Sequence, residues 1–232
     1  MERAPPRFLR LGESVSTLSK VALGFVGHLK PDRVKARSVA PKMVLPAPQT
    51  RGGMPVMEAI AKRRSRREFS PAPLSQQTLS DLMWAAYGVN RPESGGRTAP
   101  SALNAQEIDL YAALPGGLYI YEPKGHSLSL VAPVDARRVT GYQDFVDEAP
   151  LDLVYVADHA HMDGVPQERR LAYSSASAGA IAQNVYLYCA SAGLATLVRG
   201  WFDHAALKQA LRLSDDEHVV MTQTVGYPVQ FV

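Results

Sequence analysis

The stretch from about residue 168 to residue 192 constrains the fold more than any other part of the chain. It is rich in Ala, carries Ile181, Val185, Leu187 and Tyr188, and stops at Gly193, a residue suited to ending a helix. It reads as one long helix that is apolar almost all round. Such a helix belongs in the middle of a protein, covered on most sides. The segments available to cover it are mainly strands. Ile108, Leu110 and Ala112 alternate, Gly116-Gly117 makes a turn into Leu118–Tyr121, and Lys124-Gly125 makes another into Leu128–Val131. Three short strands joined by tight turns pair antiparallel. Leu151–Ala157 is a buried strand and Val219–Val225 a last one. Pro55 opens a short helix through Ile60, and Ser75 caps a helix carrying Leu79, Leu82, Met83, Ala86 and Tyr87 to Gly88. Residues 135–146 look helical, and Asp203 caps a helix through Leu211. Strands interspersed with helices, with hairpins among the strands, give an α+β fold: a mainly antiparallel central sheet flanked by helices. No internal repeat is visible.

Charge divides the chain in two. Residues 1–73 hold 15 Lys and Arg against 5 Asp and Glu, a balance of +10, while residues 74–232 hold 10 against 17, a balance of −7. Residues 1–53 contain six prolines and little periodicity, and read as a basic arm ahead of a domain spanning 54–232. A basic front meets an anion: nucleic acid, a membrane surface, a phosphate-bearing cofactor, or the acidic body of its own or a partner chain. The longest apolar run of the first third, Val21–Val26, is far short of the roughly 20 residues that span a bilayer. No membrane association is expected, and the absence of a secretory pattern makes a cytoplasmic protein the expectation. A single cysteine, Cys189, excludes an intramolecular disulfide and a Cys-based zinc site; on the long helix it is a core thiol.

Three stretches carry candidate chemistry. Arg63-Arg64-Ser65-Arg66-Arg67 sets four guanidinium groups and a hydroxyl at a helix end. Guanidinium binds phosphate through paired hydrogen bonds, so the run is a solvated basic patch, a phosphate site or a nucleic-acid footprint. No recognisable nucleic-acid module accompanies it. The second stretch, Pro100-Ser101-Ala102-Leu103-Asn104-Ala105-Gln106, is a polar loop ahead of a strand. The third leaves the long helix as Gly193-Leu194, passes Arg199-Gly200-Trp201 and reaches Phe202-Asp203. In this order and spacing the three resemble the nitroreductase family of flavoproteins, over about residues 55–228. The 118–130 hairpin is similar to a branch that includes dehydrogenases aromatising azolines in peptide natural products.

That resemblance implies an intertwined homodimer with FMN at its interface. Arg63, Arg64, Ser65 and Arg67 would hold the phosphate and ribityl end. Pro100, Ser101, Ala102 and Asn104 would come from the other subunit and pack beside the isoalloxazine. Arg199, Gly200 and Trp201 would lie at its N5 and O4, with Arg199 adding positive charge there. The flavin carries the chemistry, so no catalytic side chain is implied. Hydride would pass from NADH or NADPH to an electron-poor acceptor such as a nitroaromatic or quinone. A substrate-specific flavin dehydrogenase and a non-catalytic relative binding a phosphate-bearing ligand or partner are the alternatives. Family members often carry a basic pair near the C-terminus; here no Lys or Arg follows Arg212, which leaves the phosphate to Arg63–Arg67. Tyr119, Tyr121, Tyr142 and Trp201 are candidates for the substrate face. His159 and His161 lack an evident third ligand and read as solvated loop residues, so no metal is expected. No Gly-x-Ser-x-Gly elbow and no dinucleotide Gly-x-Gly-x-x-Gly is present.

Overall fold

A computed structural model describes residues 41–229. Most of the segment read as a basic arm, residues 1–40, lies outside them. The order of elements is β1 (Lys42–Val44), α1 (Val56–Lys62), β2 (Phe69–Ser70), α2 (Gln76–Tyr87), β3 (Val89–Arg91), β4 (Gly96–Arg97), β5 (Ile108–Leu114), β6 (Gly117–Glu122), β7 (Ser127–Ala132), β8 (Leu151–Asp158), α3 (Gln167–Ala192), β9 (Ala195–Arg199), α4 (His204–Leu211) and β10 (Glu217–Pro228). The main sheet has eight strands in the order β1-β7-β6-β5-β8-β10-β2, with β9 also on β10. Every pairing in it is antiparallel. β3 and β4 form a separate hairpin.

Alternation along the strands sorts side chains to two faces. Ile108, Leu110 and Ala112 join Leu153 and Tyr155 beneath α2 and α3, which supply Leu82, Met83, Ile181 and Val185. Tyr111, Ala113, Val154 and Val156 meet Leu207 and Leu211 of α4 on the other face. The sheet is therefore covered by helices on both sides, and β8, at its centre, is buried along all eight residues. The expected caps are present. Ser75 Oγ accepts the Thr78 N–H at 3.0 Å, Asp203 Oδ1 accepts that of Ala206 at 2.9 Å, and Gly193 closes α3 in the left-handed conformation at φ 71°.

Three expectations change. α3 is not enclosed on all sides. Its buried stripe is Ser174, Ser177, Ala178, Ile181, Ala182, Val185 and Cys189, whereas the small residues Ala172, Ser175, Ala176 and Gly179 lie on an exposed face with Leu171 and Gln183. Residues 135–146 are not a helix but two short 3-10 turns, Arg137–Thr140 and Asp144–Val146, broken at Gly141. A side chain at Gly141 would collide with the Arg199 guanidinium, so the backbone is shaped by what it packs on. The exit from α3 is not all loop: Ala195–Arg199 is a strand, β9, paired with β10.

The described end of the segment read as an arm is fastened to the sheet and helices. β1 pairs with β7 and Gln77 Nε2 donates to Ala47 O at 3.0 Å, and at the first residue past the arm Met54 N donates to Ser191 Oγ at 2.8 Å. His126 stands at the centre of this attachment. Ser80 Oγ donates to Pro46 O at 2.6 Å, so its oxygen accepts His126 Nε2–H at 2.7 Å. That leaves His126 Nδ1 to accept the Tyr121 hydroxyl at 2.8 Å. The network fixes one neutral tautomer. Burial holds the His126 pKa below the usual histidine value, against the pull of Pro46 O and Asp81. Between the folded pKa and about 6.5 the unfolded chain binds more protons. The stabilisation is complete above about 6.5 and declines as pH falls through that window. Thermal melts from pH 8 to pH 5 should show a larger loss of Tm in the wild type than in His126→Gln, which cannot titrate; parallel curves would remove His126 from the pH dependence.

Candidate functional site

The free edge of β9 gathers the first and third stretches. On one side β9 pairs with β10; on the other, Arg66 N–H donates to Thr196 O at 3.1 Å. The next amide along that edge, Val198 N–H, donates at 2.9 Å to the Tyr186 hydroxyl of α3. Tyr186 OH also lies 2.9 Å from Ser65 Oγ. Because that hydroxyl oxygen accepts from Val198, its own proton can go to Ser65, which leaves the Ser65 O–H free to donate elsewhere. Arg63 sits over the Tyr186 ring at 5.2 Å, a cation–π contact that holds the side chain without spending its hydrogen-bonding groups. The arginine run is thus laid along the strand that leads to Gly200 and Trp201.

Among the described residues, Arg63, Arg64, Arg66 and Arg67 form no ion pair with a carboxylate. Arg64 and Arg67 are exposed and Arg63 and Arg66 half-buried. A local excess of unpaired guanidinium beside a hydroxyl donor is chemistry for an anion. Gly200 is exposed, and nothing lies within 4 Å of where a side chain on it would be. A flat molecule can therefore approach the backbone there. Trp201 is 69% exposed and tilted against Tyr142, ring centres 5.2 Å apart. These residues fit a ligand with a phosphate at one end and a planar ring system at the other.

The sequence reading placed Arg199 among the cofactor contacts, adding positive charge. The structure turns its side chain the other way. Arg199 is 4% exposed, and its NH2 donates to Asp152 Oδ1 at 2.5 Å and to Thr140 Oγ1 at 3.1 Å. Asp152 also accepts from Thr224 Oγ1 at 2.5 Å. Complete burial pushes the Asp152 pKa up to about 6, opposed chiefly by Arg199. The arginine neutralises a buried carboxylate, and its charge is spent inside the protein.

The loop carrying Pro100, Ser101, Ala102 and Asn104 is held from within. Ser101 Oγ accepts Gln106 N–H at 2.9 Å, and Gln106 Nε2 donates to Gly95 O at 3.1 Å and Asn104 Oδ1 at 3.2 Å. Leu103, Asn104 and Gln106 all adopt positive φ, near 50°. Backbone strain of this kind persists only where side-chain bonds over-determine it. Asn184 Nδ2 of α3 donates to Thr98 O at 3.3 Å, tying the loop's approach to the helix that carries Tyr186. Among the described residues, no hydrogen bond joins 100–104 to Arg63–Arg67 or to Gly200–Trp201.

The remaining candidates fall away from this edge. Tyr121 is buried on His126, and Tyr119 packs on the core. His159 is tilted against His218 with ring centres 4.6 Å apart, whereas His161 Nε2 lies 3.9 Å from Asp158 Oδ2. Neither is a simple solvated loop residue, and burial lowers the His159 pKa. Cys189 is buried and its thiol pKa pushed up, as befits an inert core residue. Tyr186 is the residue sequence reasoning missed. Its signal was a tyrosine lying off the buried stripe of α3, next to Val185.

Comparison with known proteins places the chain in a family. The sequence profile described as "Nitroreductase family" matches residues 60–227. The chain belongs to the nitroreductase family. A crystal structure of a nitroreductase-like protein from Ralstonia eutropha JMP134 is similar at 49% identity, over 82% of this chain and 90% of that one, with a TM-score of 0.78. The fold is shared by a chain of the Escherichia coli microcin synthetase McbBCD complex with truncated pro-MccB17 bound (TM-score 0.64, 18% identity, 97% of this chain and 85% of that one). It is shared too by the NADPH:FMN oxidoreductase from Vibrio harveyi complexed with NAD+ (TM-score 0.57, 20% identity, 75% and 69%). Nitroreductase-family membership makes this chain an oxidoreductase in its general class. No helix among the described residues is long and apolar enough to cross a membrane.

The buried pair gives a stability prediction. Arg199→Met strands the Asp152 carboxylate and should cost about 3–5 kcal/mol, read as a drop in denaturant midpoint. Adding Asp152→Leu should recover most of it. A single variant as stable as the wild type would show that the pair contributes nothing.

Proposed function

We propose that the protein is an FMN-dependent oxidoreductase that takes hydride from NADH or NADPH and passes it to an electron-poor small molecule such as a nitroaromatic or quinone. The observation that carries this reading is the unpaired Arg63–Arg67 run docked, through Arg66 and Tyr186, on the strand that ends at Gly200. Family membership and the similarity in fold to a NADPH:FMN oxidoreductase support it. When bound, FMN supplies a ring that accepts and donates hydride. Arg63, Arg64 and Arg67 hold the phosphate, and Ser65, oriented by Tyr186, adds a hydroxyl donor. The Gly200 and Trp201 backbone offers N–H dipoles to the ring edge where negative charge accumulates on reduction; fixed dipoles do this without reorganising. The Trp201–Tyr142 pair offers a flat apolar wall to the acceptor.

A homodimer completes the reading. The small-residue face of α3, exposed in the single chain, lets a second backbone approach closely, and Pro100, Ser101, Ala102 and Asn104 would then reach the partner's flavin. A second reading, a substrate-specific flavin dehydrogenase, is favoured by the microcin synthetase chain, whose likeness runs over 97% of this chain.

Purified protein mixed with FMN should acquire a flavin absorbance that survives gel filtration on a dimer-sized species. It should then oxidise NADH or NADPH when a quinone is present. The Arg63→Ala/Arg67→Ala variant should bind FMN at least about tenfold more weakly, a loss of about 1.4 kcal/mol. Flavin retention without nicotinamide oxidation would favour the dehydrogenase. Protein that retains no flavin would leave only a non-catalytic relative.

A further inference from the structure

A row of carboxylates at one end of the sheet takes no part in the site above. Glu217 of β10 stands directly opposite Asp158 of β8. On the other side of β8, Ile108 pairs with Ala157, and the Asp158 N–H donates to Glu107 O at 2.8 Å. Glu107 is therefore the next residue in register beside Asp158. Residues directly opposed in a ladder send their side chains to one face. Asp109, two residues on, shares that face with Glu107. Asp109, Asp158 and Glu217, from the adjacent strands β5, β8 and β10, thus lie on one face, with Glu107, just ahead of β5, beside Asp158.

Three of the four are enclosed and Asp109 is half-buried. Glu107 is 0% exposed, Asp158 5% and Glu217 8%. One oxygen from each of Asp109, Asp158 and Glu217 lies within 4.8 Å of the other two. Two are fixed in place by backbone amides: Asp158 Oδ1 accepts from Ala160 at 3.0 Å and Glu217 Oε2 from Ser214 at 2.9 Å. Both oxygens of Glu107 lack a hydrogen-bond partner among the described residues. Buried carboxylates this close repel one another, and an unsatisfied one carries its full desolvation cost. Oxygens converging at this spacing match the coordination sphere of a hard divalent cation, with oxygen ligands at about 2.0–2.6 Å.

We propose that Asp109, Asp158 and Glu217, with the enclosed Glu107 beside them, bind one hard divalent cation (Mg2+, Mn2+ or Ca2+) that ties β5, β8 and β10 together at this end of the sheet. Hard cations take carboxylate oxygen, and no thiol is present in the cluster to draw a softer metal. The site uses none of the residues given to the flavin and stands independently of that reading.

Manganese is the probe. Full-length protein stripped with EDTA should bind one Mn2+ per chain by electron paramagnetic resonance, displaced by Mg2+ or Ca2+, with Tm raised by several degrees. The bound ion should broaden the His159 and His161 imidazole signals, which flank Asp158. Glu217→Gln should weaken Mn2+ at least tenfold. No binding at millimolar Mn2+, binding that leaves His159 and His161 sharp, or a folded Glu217→Gln variant of unchanged affinity would each overturn the proposal. So would a Tm indifferent to all three cations that rises as pH falls, the signature of carboxylates sharing protons. If Glu217→Gln does not fold, the wild-type broadening decides.

Discussion

An arginine and an aspartate closed inside the sheet set the position of much else. Asp152 comes from β8, Arg199 from the end of β9, and their neighbours Thr140 and Thr224 from a turn and from β10. Neither charge tolerates the interior alone, so each element must arrive in register for the other to be stable. The pair ends β9 where Arg199 must turn inward, which releases Gly200 and Trp201 at the surface. It also breaks the 135–146 segment at Gly141, which brings Tyr142 against Trp201. An interaction far from any ligand in its chemistry thereby decides what the ligand would meet.

α3 does complementary work at the other side of β9. Its buried stripe anchors it to the sheet, and Tyr186, just off that stripe, reaches both Val198 and Ser65. The hydroxyl caps a strand edge that would otherwise expose an unpaired amide, and in doing so it orients a serine within the arginine run. Asn184, two residues earlier and so on another side of the helix, braces the approach to the 100–104 loop. One rigid element thus locates two of the three stretches, which explains how motifs more than a hundred residues apart keep a fixed relation.

Much of this was legible beforehand because the signals were local. Period-two alternation marked β5, a continuous apolar run marked β8, glycine turns marked the hairpin, and Ser75, Asp203 and Gly193 marked helix ends. The three motifs were legible through their order and residue types. What escaped depends on contacts distant in sequence. Nothing near Arg199 announces that Asp152 waits 47 residues away, so a cationic side chain beside a glycine read as a ligand contact. Residues 135–146 have helical composition but are bent by the guanidinium they cover. Five residues of β9 are too few to show a period. α3 seemed apolar all round because alanine, serine and glycine are small, and smallness serves a tight contact as well as a buried one.

β10 has a consequence for how the chain is made. It lies between β8 on one side and β9 and β2 on the other, yet it spans residues 217–228 and so follows all of them in the chain. Until it emerges from the ribosome, β8 has an open edge, and β9 and β2 have no strand to join. The half of the sheet built from β1, β7, β6, β5 and β8 can assemble earlier, since its hairpins are local. The nascent protein therefore passes through a stage with one edge of β8 exposed, and that vulnerable interval closes only when β10 joins the sheet.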